Sequence, residues 1–382
     1  MSILITGADG YLGWPTALKL CQAFSGERII GVDNFGRREW VQEIGSVSAI
    51  PIFSMDERLE AARQRGLDNL SFIQADLADW TTTLDLIRVH KPRVILHLAA
   101  QPSAPYSHIG AEAAAFSQDN NLAMTRNLLW ALRQENLLQT HYIETTTTGI
   151  FGAPSFEIPE GDLEAIGADG SHDRVPYPNM ASSWYHVSKG FNITNMRLMN
   201  FQTGLPVTNL HTSIVYGVDT AETKGDPRLA TRFDFDFYFG TLFNRWCAMA
   251  LIGLPLTVYG TGNQIKPFIH LEDAAQSLVL AAQATNPGDY LAYNQLTEYV
   301  RIGDLAQMIC DSLGLDPDQA ITHIPNPRVE KEDREYQFRC EKFLELLGGQ
   351  PRTMSRSLDE IMEPLAAGRQ VVLSHQDRLT SA

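Results

Sequence analysis

Short apolar runs alternate with helical patterns through the first half of the chain. The runs are "SILIT" at 2–6, "RIIGVD" at 28–33, "SFIQAD" at 71–76, "RVILHLAA" at 93–100 and "HYIETTTT" at 141–148. Between the first two, Trp14, Ala17, Leu18, Cys21 and Phe24 fall at i, i+3, i+4, i+7 and i+10, one face of a helix. Strand following helix in this rhythm predicts an α/β fold, a doubly wound parallel sheet with helices on both faces. Two segments break the rhythm. Residues 36–67 are too long for a turn, and 153–180 are rich in Gly, Pro and acids; both read as insertions or lids. From about residue 219 aromatics and prolines multiply and elements shorten. The expected division is a sheet domain at 1–218, rejoined by 264–295, and a smaller C-terminal lobe at 219–263 and 296–382. The last dozen residues are polar and expected to fray.

Composition narrows the class. The 382 residues are 44% hydrophobic and 20% charged, as in ordinary soluble proteins, and no apolar run is long enough to cross a bilayer. The start, "MSILITGADG", lacks the basic region and cleavage site of a signal peptide, so a cytoplasmic protein is expected. Four scattered cysteines suggest neither a disulfide frame nor a metal site, and read as buried free thiols. A net charge of −15 argues against nucleic acid as a partner.

Candidate chemistry begins at "TGADGYLG". Gly7, Gly10 and Gly13 stand between a strand and a helix, where bare backbone lets a pyrophosphate approach the amides of the helix N-terminus. Asp33 ends the next strand, twenty residues beyond Gly13, where a carboxylate can accept the ribose hydroxyls of NAD and repel the 2′-phosphate of NADP. Arg37 and Arg38 lie close by. In "SSWYHVSK", Tyr185 and Lys189 are four apart and share a helix face. A tyrosine beside an ammonium is expected to have its pKa lowered and to take a proton from an alcohol. The threonines of "HYIETTTTGIFG" put hydroxyls at a strand end, where such sheets bind ligands. Thr145 and Thr146 read as strand residues alternating between faces.

These motifs, with "VDNFGRR", "SAPYS", "PYPNMASSWYHVSK", "IVYGV", "FGTLFNRWC", "PLTVYGTGNQ", "YNQLTE" and "NPRVE", resemble the extended short-chain dehydrogenase/reductases, the NAD-dependent sugar-nucleotide epimerases and dehydratases. Within that family the similarity is to its UDP-sulfoquinovose synthase branch, and it runs from residue 7 to about 330. The resemblance implies a Rossmann-type fold, NAD as cofactor, and a homodimer built on helices near 121–132 and 185–199. It implies cofactor contacts at Gly7, Gly10, Tyr11, Leu12, Gly13, Asp33, Asn34, Arg37, Asp76, Leu77, Ala99, Ala100, Tyr185 and Lys189. Asn121 matches an asparagine that braces the inner strands. Thr147 takes the place of the hydroxyl residue that orients the alcohol being oxidised. Gln101, Ser103, Thr148, Lys266 and Arg328 fall where the substrate lies, the last two against a diphosphate.

The departures from the family pattern shape the expected reaction. Dehydratases that act at carbons 4 and 6 carry Asp-Glu where this chain has Thr148 and Gly149. The sulfoquinovose branch carries a glutamate at Ile150 and an arginine at Pro102. Losing that cation argues against a sulfite site. The expected activity is therefore transient oxidation of a ring hydroxyl, loss of the 6-hydroxyl as water to a 5,6-ene, and return of hydride. His186 is the first choice for the acid of that elimination and His211 the second. The substrate is a sugar on a nucleotide or a nucleoside. A sulfoquinovose synthase, a 4-epimerase and a non-catalytic dinucleotide-binding regulator are the alternatives.

Overall fold

The computed structural model describes every residue except 153, 155, 178, 327–336 and 381–382. Strand β1 (Ser2–Thr6) turns through the glycines into α1 (Gly13–Ala23). Then come β2 (Arg28–Asp33), α2 (Gly36–Glu43), α3 (Met55–Gln64), β3 (Leu70–Gln74), α4 (Trp80–His90), β4 (Val94–His97), α5 (Ala111–Gln134) and β5 (His141–Thr147). A hairpin of β6 (Asp162–Ile166) and β7 (His172–Pro176) precedes α6 (Trp184–Thr203), β8 (Val207–Thr212) and β9 (Ile214–Tyr216). There follow α7 (Leu242–Ile252), β10 (Leu256–Tyr259), β11 (Ile265–His270), α8 (Leu271–Gln283), β12 (Tyr290–Gln295), β13 (Glu298–Arg301) and α9 (Ile302–Leu313). The chain ends with α10 (Pro317–Ala320), β14 (Ile321–Ile324), α11 (Glu341–Leu347), α12 (Met354–Ala367) and α13 (Arg369–Ser374).

Seven strands form one sheet in the order β3-β2-β1-β4-β5-β8-β12, all pairs parallel, the doubly wound arrangement expected. Alternation along β1 explains its two covered faces. Ile3 and Ile5 join the core with residues of α1 and α8, while Leu4 between them joins the core with α4, α5 and α6. Chain order reverses between β1 and β4, so the crevice at their carboxyl ends is the ligand position of such a sheet. The glycine turn leaves β1 there, and Ala99 and Ala100 follow β4 to the same place.

A third core, with Phe233, Phe243, Trp246 and Phe268 among its largest side chains, fills the lobe. Within 264–295, α8 contacts α1, and β12 completes the main sheet. Strand β11 pairs instead with β9 and β13 in a separate three-stranded sheet. Residues 36–67 contain α2 and α3, the latter started by a capping box between Ser54 and Glu57. The 153–180 segment contains the β6–β7 hairpin, whose β7 residues are all exposed. Residues 371–380 pack on the lobe where their polarity suggested fraying. Val372 and Leu379 are fully buried in the lobe core, and the Phe237 amide donates to the Arg378 carbonyl at 2.7 Å. Three cysteines are buried and Cys340 is half-buried. Among the described residues no helix is long and apolar enough to cross a membrane.

Candidate active site

One cavity of about 1710 Å³ runs from the glycine turn to Lys266 and Ile302. Its first wall is bare backbone for a steric reason. A β-carbon on Gly7, whose φ is +71°, would lie 2.7 Å from the Ala99 nitrogen, and one on Gly13 would lie 1.9 Å from the Gly7 carbonyl oxygen. Gly10, Tyr11, Leu12, Asn34, Ala99 and Ala100 line the same end. Asp33 faces the cavity at the end of β2. Its two carboxylate oxygens accept the amides of Asp9 at 2.9 Å and Phe35 at 2.7 Å, which fixes the group and leaves each oxygen a second lone pair. Burial first, and the neighbouring Asp9 charge second, push its pKa up to about 6. A bare turn at a helix start and an aimed carboxylate on the next strand together fit a dinucleotide.

The arginines beside Asp33 are already matched. Arg37 donates through Nε and Nη2 to Asp234 at 3.1 and 2.8 Å, and its guanidinium lies 4.0 Å from the Phe239 ring centroid. Arg38 makes a two-pronged pair with Asp9, both contacts 2.7 Å, and Arg58 donates to Asp9 at 2.6 Å. Arg37 thus borders the cavity as a tie between the β2 turn and the lobe. Asp76 and Leu77 are not brought to the wall. Leu77 is buried in the core, and the Asp76 carboxylate accepts the Ala78 amide at 2.9 Å.

Thr147, Thr148, Tyr185, His186 and Lys189 all line the cavity. Thr147 Oγ1 accepts the Gly149 amide at 3.1 Å, so its own proton is available to another group. The start of α6 is held from several sides. Ser183 caps it by accepting the His186 amide at 3.1 Å. Asn121 on α5 donates to Ser188 Oγ at 3.0 Å, and that hydroxyl donates to the Tyr185 carbonyl at 2.7 Å. Lys189 donates to the Thr145 carbonyl at 2.9 Å and lies 3.5 Å from Glu144. Burial, then the Glu144 charge, push the Tyr185 phenol above its ordinary range, the reverse of the expected lowering. Burial, which sequence spacing does not show, is the larger cause of the difference.

Other expected contacts divide. Ser103 and Lys266 line the cavity. Ser103 also fixes its own turn, since its hydroxyl donates to the Tyr238 carbonyl and accepts the Tyr106 amide at 3.0 Å. Gln101 is a correction. It is fully buried, its side-chain oxygen accepts the Ser103 amide at 3.1 Å, and its backbone amide and carbonyl bond the side-chain amide of Asn121, so it shapes the turn from behind. His211 is another. It is buried against Phe151, with Nε2 2.8 Å from Asn209 and Nδ1 3.0 Å from Asn294, and burial lowers its pKa to about 4. With both nitrogens engaged away from the wall it is no proton donor to a ligand. Arg328 lies outside the described residues. Two features went unread in the sequence. The aromatic run around Phe237, Tyr238 and Phe239 is a cavity wall, and Glu144, an acid inside an apolar strand, sits beneath Lys189.

A model of the NAD dependent epimerase/dehydratase family matches residues 3–294. The chain belongs to that family. It is 35% identical over 362 residues to the chloroplastic UDP-sulfoquinovose synthase of Spinacia oleracea, covering 93% of this chain and 73% of that one. It is 38% identical over 361 residues to the UDP-sulfoquinovose synthase of Sulfolobus acidocaldarius, covering 92% and 89%. Among solved structures, UDP-glucose 4-epimerase from Bifidobacterium longum in complex with NAD+ and UDP matches all of both chains with a TM-score of 0.71 at 17% identity. The Thermotoga maritima UDP-glucose 4-epimerase with UDP-glucose matches equally fully at 0.67 and 18%. At such identities these two share the fold. Family membership is thus consistent with the glycine turn and with the Tyr185–Lys189 pair on α6.

Proposed function

We propose that this protein is an NAD-dependent dehydratase of a nucleotide-linked or nucleoside sugar. The observation that carries the reading is the meeting of Tyr185, Lys189, Thr147 and His186 on the wall of a cavity that begins at the glycine turn. Gly7, Gly10, Gly13 and Asp33 would hold NAD, which would supply the acceptor for a sugar hydride and the donor for its return. Tyr185 takes the hydroxyl proton as phenolate, which the Lys189 ammonium and a bound, positively charged nicotinamide would stabilise against the burial that raises the phenol. Thr147 keeps its proton for the sugar oxygen and orients it. A ketone at carbon 4 makes the carbon-5 proton acidic, and the 6-hydroxyl then departs as water. We assign the proton of that step to His186, whose ring centroid lies 5.1 Å from that of Tyr185; among the described lining residues Asp33, at the far end, is the only carboxylic acid.

The alternative of a UDP-sulfoquinovose synthase is favoured by the 35–38% identity to two such enzymes. Two positions speak for the dehydratase instead. Pro102 lines the cavity where the resemblance expects an arginine, and Ile150, where it expects a glutamate, is buried in the core. The test is incubation with NAD and UDP-glucose, with and without sulfite, followed by mass spectrometry. Loss of one water supports the dehydratase. A sulfite-dependent gain in mass assigns the synthase, and unchanged mass with inverted carbon 4 assigns an epimerase. No conversion of UDP-glucose or of nucleoside hexoses favours a regulator. We also infer a homodimer through α5 and α6, on which Phe116, Trp130, Trp184, Phe191 and Leu198 are exposed.

A further inference from the structure

Glu144 is fully buried on β5, three residues before Thr147, and is not among the residues lining the cavity. Donors from three elements converge on its carboxylate. Thr125 Oγ1 on α5 lies 3.2 and 3.1 Å from its two oxygens. The Tyr142 hydroxyl donates to Oε2 at 3.0 Å, and Asn192 Nδ2 on α6 donates to Oε1 at 2.8 Å. The ammonium of Lys189 completes the ring at 3.5 Å from Oε1. Side-chain exposure is 0% for Glu144 and 3% for Lys189, so neither charge has water to fall back on. Buried charges persist when they are matched and hydrogen-bonded, and each of these two is the other's match. Lys189 spends a second proton on the Thr145 carbonyl, which leaves its third for the cavity it lines.

We propose that Glu144 is a positioning residue, the buried counter-ion that anchors Lys189 and so fixes where the ammonium stands relative to Tyr185. The inference rests on the reading of Tyr185 and Lys189 as the oxidising pair. A glutamate that merely plugged the core would serve Tyr142, Thr125 and Asn192 equally well without being coupled to Lys189. Coupling is therefore the property to measure.

The experiment is a double-variant cycle on the full chain loaded with NAD, comparing E144Q, K189M and E144Q/K189M by scanning calorimetry. Each single variant strands the opposite charge in the core and is expected to lower the melting temperature by about 4 °C or more. The double variant, with neither charge left, is expected to recover at least half of that loss. Losses that add in the double variant overturn the inference, as does an E144Q that melts with the unchanged protein. With UDP-glucose as the probe, E144Q is expected to lose about tenfold or more in kcat while KM stays within about threefold. Y185F keeps two failures apart. Turnover surviving in Y185F sinks the oxidising pair and leaves the melting cycle to judge Glu144. An inert Y185F beside an E144Q at full rate sinks only the positioning role.

Discussion

The imidazole of His186 stands in the space a side chain on Gly149 would take: a β-carbon built there lies 2.3 Å from its Nε2. On the elimination proposed above, the bare glycine is what lets the proton carrier stand there. Its φ is outside the left-handed region, so alanine costs nothing in backbone strain and acts only by contact. G149A is expected to push the ring aside and cut kcat by about 100-fold, the scale of one lost acid or base. Its melting temperature should stay close to that of the unchanged protein. Steady-state kinetics with parallel calorimetry decides, and a G149A with full kcat removes His186 from the elimination.

Cofactor affinity should depend on pH through Asp33. Its pKa, held up to about 6 chiefly by burial, lies above the ordinary carboxylate value, so the group becomes neutral as pH falls through 6. Ribose hydroxyls donate to the ionised form. NAD affinity is therefore expected to be level above pH 7 and to weaken below 6, by up to about tenfold per pH unit. Titration calorimetry at three pH values measures this, and an affinity constant down to pH 5 removes Asp33 from the ribose contact. Because Arg38 and Arg58 are committed to Asp9, and Arg37 to Asp234, NADP is expected to bind at least about 100-fold more weakly at any of these pH values.

Much of this site is local in the sequence, and that part was legible. The turn at Gly7, the strand ending in Thr147 and the Tyr185–Lys189 spacing are each set within a few residues. What was not legible depends on segments far apart. Arg37 reads as a cation beside Asp33, and its pairing with Asp234, in the lobe, is set by a residue far along the chain. His211 reads as a proton donor until Asn294, on the neighbouring strand β12, holds its Nδ1. The lowered tyrosine pKa follows from spacing only until the burial of the phenol and the charge of Glu144 are counted. The domain boundary near 264 shows the same limit. Apolar content alone cannot say that β11 pairs with β9 and β13 while β12 joins the main sheet.

Acid should destabilise the protein through its buried imidazoles. Burial lowers His97, His141 and His211 to about 4 and His270 to about 3. The unfolded chain protonates these groups near pH 6.5, so their contribution is complete above that pH and falls away between 6.5 and 4. Buried carboxyls such as Glu160 and Glu298, raised by burial, oppose part of the slope. One histidine can be isolated. His141 lies 2.8 Å from Thr208, on the strand end away from the cavity. H141Q is expected to flatten the dependence of unfolding free energy on pH by up to about 1.4 kcal/mol per unit between pH 4.5 and 6. Denaturant titrations giving parallel curves for the two proteins contradict this.

The exposed faces of α5 and α6 predict how two copies associate. Trp184, Phe191 and Leu198 recur every seventh residue on α6, each about half exposed, and Phe116 and Trp130 stand on α5, which packs beside it. Two such pairs meeting about a two-fold axis would cover the exposed half of every one of these side chains in both copies, at roughly 1 kcal/mol each. One substitution therefore strikes two places in the dimer, and a charge at each must be desolvated without a partner. F191E/L198E is expected to halve the mass seen by light scattering, from twice the 42.5 kDa chain to a single one. Because both side chains face outward, the variant should still bind NAD and melt as a folded protein. A 42.5 kDa species for the unchanged chain at micromolar concentration rules the dimer out.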